Sequence, residues 1–429
     1  MKKYYISFIT TLFLAGSICC DKYSAATKHY DKAVAFVEQK NWDAAIVESS
    51  EAIKLVPNYY EAYLQRGKAY DQKGDYSMAN LDYSDALLLD PGKKHKLHNE
   101  LCILRGNNLF NLGKEQYAGQ KYNQAIQMFD MAIELGSNNA ELYLLRGNAH
   151  HSLSDYDNAI SDFSQVIKLE PLNIQAHIGR GNAYQWRSRV YKNYLFASEM
   201  GMLSFWLEDQ PTRTKEFVMA TPKDGIKTMA AQDWNRAISD LSLAIKLEPN
   251  SDDAYVTRGD AYVLHGNDNS ATMDYNKALK LNPNNDKALS GVTLVYTGQA
   301  VKYTMDGNYS SAITVLNEAI KRNPNSDSAY FQRGLAYGSM GENNRAILDF
   351  NEAIRLNSNN HDYYHNRGIS YAQQGNIARA ITDYNEAIKR NQRDAKTYYH
   401  RGLAYGQIGD INRANADFSK ARQLGMVFK

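Results

Sequence analysis

From Tyr60 to Pro91 the chain reads YEAYLQRGKAYDQKGDYSMANLDYSDALLLDP. Bulky and small residues alternate with polar ones at three- and four-residue intervals on both sides of Gly74. Tyr63, Gly67 and Tyr70 precede it, and Tyr76, Ala79, Tyr83 and Ala86 follow. That spacing puts one apolar stripe on each of two helices. Gly74 suits the left-handed residue that closes a helix, and Pro91 cannot continue one. Gly67 falls mid-helix, where glycine costs up to about 1 kcal/mol against alanine. Close approach of the second helix through Ala79 and Ala86 is the expected compensation.

The same unit returns along the chain. Its closing proline or the equivalent residue falls at Pro57, Pro91, Ser137, Pro171, Pro249, Pro283, Pro324, Ser358 and Gln392, in steps of 34 except for 46, 78 and 41. Mid-helix glycines recur at Gly67, Gly113, Gly147, Gly181, Gly259, Gly334, Gly368 and Gly402, and second-helix alanines at Ala45, Ala79, Ala125, Ala159, Ala237, Ala271, Ala312, Ala346, Ala380 and Ala414. A 34-residue helix-turn-helix period with these residues resembles the tetratricopeptide repeat family. Ten registers fit, from about Ala26 onward. The resemblance implies an all-α fold, a right-handed superhelical solenoid of stacked hairpins.

One regularity is internal to the chain. The residue before the mid-helix glycine is often arginine, and then the residue three after the alanine is aspartate. The pairs are Arg66/Asp82, Arg146/Asp162, Arg180/Asp240, Arg258/Asp274, Arg333/Asp349, Arg367/Asp383 and Arg401/Asp417. Where the arginine is missing the aspartate is too, at Leu112/Met128 and Gln299/Val315, and the first repeat keeps the signs with Lys32/Glu48. This co-occurrence predicts an ion pair or hydrogen bond between the two helices of each unit.

The irregular steps set the domain organisation. Repeats 1 to 4 and the first helix of repeat 5 occupy residues 26–185, an insertion runs over 186–230, and the second helix of repeat 5 with repeats 6 to 10 fills 231–429. The 12 residues beyond the period after Pro91 include GKKHKLHNE, expected as a solvated connector, with metal binding by His95 and His98 as the alternative. Repeat 7 carries seven extra residues, which predicts a long first helix from Asp286 to Met305. The insertion is expected to form an extended helix pair burying Leu195, Phe196, Leu203, Phe205 and Trp206, or else a docking element. The last helix, with Ile411, Ala414, Phe418, Ala421 and Leu424, has no further capping helix after it, so apolar surface and dimerisation are expected there.

Residues 1–20 read as a targeting segment rather than fold. Lys2 and Lys3 precede a mostly apolar run from Ile6 to Ile18, and LAGSICC follows at its end. The segment resembles a bacterial export signal. Lipidation at Cys19 or Cys20, cleavage after Ser17 or Ala26, and an uncleaved anchor all fit. The expected location is therefore the bacterial envelope or periplasm. Cys102 is then the sole internal cysteine, which leaves no disulfide framework.

Charge narrows the partner classes. With 49 basic and 47 acidic residues the net charge is +2, giving no broad basic field for nucleic acid. No phosphate-binding glycine loop or hydrolase arrangement is present. His361 and His365 in HDYYH lie one turn apart but lack the glutamate of a zinc-protease motif. No enzyme activity, cofactor or metal is expected, unless the insertion builds a pocket.

The resemblance implies that first helices line a groove for a peptide or protein segment. Candidates to line it are Phe331, Leu335, His365, Ile369, Tyr399 and Leu403, an apolar set, and Asn148, His151, Asn182, Gln185 and Asp260, a polar set. The alternative is that the apolar set packs on the next repeat. Asn148 and Asn182 match an asparagine that relatives use to clamp chaperone tails, but Leu144 and Ile178 replace the lysines, so that activity is not expected. The function expected is a non-catalytic protein-binding scaffold in envelope assembly or secretion, touching membrane only through its N-terminal segment; the alternative is a soluble periplasmic chaperone or adaptor.

Overall fold

The computed structural model describes residues 21–89, 96–208, 210 and 212–427. Among these every regular element is a helix. The N-terminal targeting segment with Cys19 and Cys20, and Lys93 to His95 of the basic run, lie outside the described residues.

Helical residues 21–38 (α1) pair with α2 (Trp42–Leu55), and α3 (Tyr60–Gln72) pairs with α4 (Tyr76–Leu89). Then come α5 (Lys96–Ala118) with α6 (Tyr122–Glu134), and α7 (Ala140–Ser152) with α8 (Tyr156–Leu169). The fifth unit runs from α9 (Ile174–Glu199) through α10 (Leu203–Glu208) and α11 (Thr212–Ala220) to α12 (Lys223–Leu247). Five regular pairs follow: α13 (Asp252–Leu264) and α14 (Asp268–Leu281), α15 (Asp286–Met305) and α16 (Tyr309–Arg322), α17 (Asp327–Ser339) and α18 (Asn343–Leu356), α19 (His361–Gln373) and α20 (Ile377–Arg390), α21 (Ala395–Gln407) and α22 (Ile411–Gln423). Contacts divide the chain into two compact units, one ending at Asp240 and the other starting at Leu241.

Helix starts follow from local chemistry. Asn173, Ser251, Asn285 and Ser326 each accept the backbone N–H three residues on, satisfying a donor that the helix leaves unpaired. Gly74 closes α3 at φ +78°, a conformation that costs a side chain energy.

The mid-helix glycines have a different cause from the one the sequence suggests. A Cβ on Gly67 would lie 2.8 Å from the ring of Tyr83, and one on Gly368 would lie 2.7 Å from the ring of Tyr384. The aromatic ring sixteen residues downstream, rather than the facing backbone, occupies the space. In two of the units where that residue is not aromatic, alanine takes the glycine's place: Ala33 goes with Ser49 and Ala300 with Leu316, whereas the extended fifth unit keeps Gly181 with Leu241. The same rings also press on the next unit, since Gly179 meets Phe163 at 2.7 Å and Gly291 meets Tyr275 at 2.5 Å.

This explains the seven extra residues of α15. A 20-residue helix in place of 13 adds two turns and keeps the same face inward. Its first half lays Gly291 under Tyr275 of the preceding unit, and its second half sets Ala300 beside Leu316 of its own. Helix α5 does the same with 23 residues: Leu101 joins the core of Tyr83 and Ala86, and Leu109 that of Phe129. Lys96 to Glu100 therefore belong to a helix, which corrects the expected connector.

The C-terminal end departs from expectation in part. Ala414 and Ala421 are buried and Phe418 lies against Gly402 and Tyr399, so the middle of the apolar stripe of α22 is spent within its own unit, while Ile411 stays open. Asn415 stands where other second helices carry Ile160, Ile347 and Ile381, which gives the last helix a polar outer face. Ile408, Ile411 and Val427 remain exposed beside it.

Candidate functional site

Each of the seven arginines holds its aspartate in a two-pronged hydrogen bond. Nε and Nη2 of Arg66 reach Asp82 at 2.9 and 2.7 Å, those of Arg146 reach Asp162 at 2.9 and 2.6 Å, and those of Arg180 reach Asp240 at 2.8 Å each. Arg258 binds Asp274, Arg333 Asp349, Arg367 Asp383 and Arg401 Asp417 in the same way, all between 2.6 and 2.8 Å. The aspartates are buried, and that burial, largest of the influences on them, raises the carboxyls of Asp82 and Asp162 despite the guanidiniums beside them.

A third arm goes beyond the sequence reading. Nη1 of each arginine reaches the preceding unit: Arg66 to Ser50, Arg146 to Asp130, Arg180 to Ser164, Arg258 to Ser242, Arg333 to Asn317, Arg367 to Asn351 and Arg401 to Asn385. The acceptor always lies sixteen residues before the arginine, and the aspartate lies sixteen after it in six of the pairs and sixty after Arg180, across the insertion. One guanidinium thus ties its own hairpin together and joins it to the preceding one. The polar residue five after each second-helix alanine was the available signal. In the first unit Lys32 lies 3.9 Å from Glu48, which also takes His29 at 2.6 Å.

The apolar groove candidates separate into two rows. Phe331, His365 and Tyr399 form the inner one. The Phe331 ring lies 4.8 Å from Tyr363 of the next unit and 5.9 Å from Phe350. His365 is buried, with Nδ1 2.6 Å from Thr397 Oγ1 and its ring 5.0 Å from that of His400. Tyr399 lies 5.8 Å from Phe418. His365 is therefore enclosed between α19 and α21 rather than open to a partner, a correction to the groove reading. Leu335, Ile369 and Leu403, four residues further along each helix, form the outer row. The first two are half-buried and Leu403 is 42% exposed. Beside this row stand Gly338, Ala372 and Gly406. A Cβ at Gly406 would meet nothing within 4 Å, and one at Gly338 would only touch Ala346 at 4.0 Å.

The polar candidates are more engaged than expected. Asp260 accepts the Tyr275 hydroxyl at 2.6 Å, and burial raises its carboxyl. Gln185 is buried with Oε1 unpartnered, and so is Nε2 of half-buried His151, whose pKa burial lowers. Asn148 and Asn182 are half-buried. His361 lies against Asn391 at 3.0 Å. Among the described residues no three His, Cys, Asp or Glu side chains are placed to hold a metal ion, and no helix is long and apolar enough to cross a membrane.

A family model described as TPR repeat matches residues 33–74, 113–154, 147–185, 302–341, 337–375 and 370–409, more than half of the chain. The chain belongs to the tetratricopeptide repeat family. A second model, described as Tetratricopeptide repeat, matches 60–93 and 252–285. A DnaJ homolog subfamily C member 7 homolog from Schizosaccharomyces pombe is 30% identical over 139 residues, and the match spans 29% of that relative's length. MamA is similar to 39% of this chain over 93% of its own, at 28% identity and a TM-score of 0.32. YrrB, described as a TPR protein with an unusual peptide-binding site, is similar to 56% of this chain over 96% of its own, at 17% identity and a TM-score of 0.36. Tetratricopeptide repeats stack into extended surfaces that bind protein or peptide partners, and the family is typically a non-catalytic scaffold.

Against that family's 34-residue unit, the fifth repeat is extended rather than interrupted. Both of its helices grow outward, α9 to 26 residues and α12 to 25, with α10 and α11 bridging the far end. Tyr191, Tyr194, Val218, Ile226 and Ala230 form a separate core there, flanked by Leu195, Leu203 and Trp206. Phe196 and Phe205 depart from the expected burial, at 61% and 68% exposed, with Met200 and Met202 exposed nearby. Arg187 binds Asp233 through Nε and Nη2 at 2.8 and 2.9 Å and Asp157 through Nη1 at 2.5 Å, an eighth copy of this chain's three-armed arginine pattern that sequence spacing does not reveal.

Proposed function

We propose that this protein is an exported, non-catalytic adaptor of the bacterial envelope that seats an apolar stretch of a partner protein along its last three repeats. The observation that carries the reading is the row Leu335, Ile369 and Leu403, repeated every 34 residues beside Gly338, Ala372 and Gly406. Partly exposed aliphatic side chains beside small residues on consecutive first helices, with open space at Gly406, favour an extended or helical apolar segment. The charge balance of +2 gives no support to a nucleic-acid partner. The N-terminal apolar run with Cys19 and Cys20 supports export, with lipid attachment at one of those cysteines.

Photo-crosslinking from position 403 in native envelopes, followed by identification of the captured protein, tests the groove. A Leu335→Glu/Leu403→Glu double variant should fold and lose that partner; retention of the partner by a folded variant removes the groove from the account. Incorporation of labelled fatty acid that disappears in Cys19→Ser or Cys20→Ser tests the anchor.

A second reading, a periplasmic chaperone for unfolded chains, is favoured by the exposed Phe196, Met200, Met202 and Phe205, since methionine-rich surfaces adapt to many sequences. Comparable weak binding to a panel of unrelated apolar peptides would support it, and one tight partner would support the adaptor.

A further inference from the structure

The insertion encloses a cavity of about 460 Å³ in the N-terminal unit, between the turn joining α7 to α8 and helices α9 and α11. Its aromatic walls are Tyr156, Tyr191 and Phe217, the last two with rings 5.8 Å apart. Asp155 and Asp157 supply carboxylates from the start of α8.

The hydrogen bonding decides the sign of the ligand. Arg187 is the cation in the wall, and its charge is already met by two carboxylates: Nε and Nη2 hold Asp233, and Nη1 holds Asp157 Oδ1. The start of α8, which would otherwise attract an anion, is capped from within, because Asp155 Oδ1 accepts the Asn158 N–H at 3.3 Å. The cation of the wall is thus already neutralised by carboxylates. Carboxylate oxygens are left over. Arg187 takes only Oδ1 of Asp157, whose side chain is 47% exposed. Two carboxylates, Asp155 and Asp157, and one guanidinium, Arg187, line the cavity; Asp155 lies 3.4 Å from His150 Nδ1, and Asp233, which Arg187 holds, lies 3.5 Å from the exposed Arg236. Hydrogen bonds from His150 and Asn158 hold the Asp155 carboxyl below the usual range, so it stays ionised. Burial pushes the Tyr191 hydroxyl up to about 12, so that wall stays neutral. Aromatic faces beside excess carboxylate are the setting that stabilises an organic cation.

We propose that this cavity receives a basic side chain, lysine or arginine, from a partner polypeptide. A regular repeat has no helices to wall in this turn; the insertion supplies them. The site is separate from the apolar row of the last repeats and does not depend on it.

The test is calorimetric titration of the full chain with N-acetyl-arginine amide, N-acetyl-lysine amide and the uncharged N-acetyl-citrulline amide. The cationic amides should bind and the citrulline amide should bind about tenfold more weakly, the size of one lost charge-assisted contact. The tighter of the two cations identifies the side chain preferred. Asp157→Asn, and independently the exposed-position change Phe217→Ala, should weaken the cation by a similar factor while circular dichroism stays helical. Equal affinity for the citrulline and arginine amides, no heat from any probe, or undiminished cation binding in a folded Phe217→Ala chain would overturn the proposal.

Discussion

Arg187 and Asp233 repeat, one heptad further out along an antiparallel helix pair, the two-pronged bond between Arg180 and Asp240. Their third partners shift by the same seven residues, from Ser164 to Asp157. Two helical turns carry a side chain back to the same face, so one bonding pattern serves twice on a helix long enough to hold it. Removing Asp233 should strand a guanidinium that is only 17% exposed. We expect Asp233→Ala to cost about 3 kcal/mol, as for a broken buried pair. Lys32→Ala, at a 60% exposed side chain 3.9 Å from its partner, should cost no more than about 0.5 kcal/mol. Urea unfolding midpoints measure both.

Helix propensity alone says that Gly368→Ala stabilises by up to about 1 kcal/mol. The Tyr384 ring 2.7 Å from the new Cβ reverses that, and overpacking should cost about 1–3 kcal/mol. Combining it with Tyr384→Leu reproduces the natural Ala300/Leu316 arrangement. The double variant should be more stable than the sum of the single effects, giving a coupling above about 0.5 kcal/mol in a thermodynamic cycle. Additive effects would mean that the ring does not hold the glycine.

His365 should make the last repeats sensitive to mild acid. Its Nδ1–H donates to Thr397 Oγ1, whose own hydroxyl donates to the Asp394 carboxylate. Burial first, then the neighbouring His400, lowers its pKa to about 4, although Asp394 opposes the shift; His361 and Lys396 lower it further. Above the unfolded value of about 6.5 both states are neutral and its contribution is complete. As pH falls from there toward 4, the unfolded chain binds a proton that the folded chain refuses, and stability is lost. Between pH 7 and 5 the loss should reach about 2 kcal/mol, and His365→Phe should flatten that slope in urea titrations at the two pH values.

Phe196 and Phe205 are exposed in the insertion and hold no core together. Phe205→Ser should therefore change stability by less than about 0.5 kcal/mol. It should reduce binding of an apolar fluorescent dye, since it removes part of the exposed patch. A large loss of stability would place Phe205 in a core.

Periodic chemistry was what the sequence exposed best. The glycines, alanines, arginines and aspartates recur chiefly at 34-residue intervals, and the sixteen-residue offset between Arg66 and Asp82 could be read because six copies kept it. Arg187/Asp233 escaped because it occurs once, inside an insertion with no second copy for comparison. His365 was read as facing a partner because its register matches a groove position. Its burial depends on Thr397 and His400 of the next hairpin. Phe196 and Phe205 look like core residues by composition, but the short helices α10 and α11 leave them uncovered.

The linear order of residues was sufficient for the unit, its count and the bonds inside it, because each depends on side chains a fixed distance apart on two adjoining helices. It was not sufficient for which unit face is covered, how α9 and α12 grow outward to wall a cavity, or which side chains of a first helix remain open. Those depend on neighbours brought close by stacking, and local spacing carries no record of what packs against it.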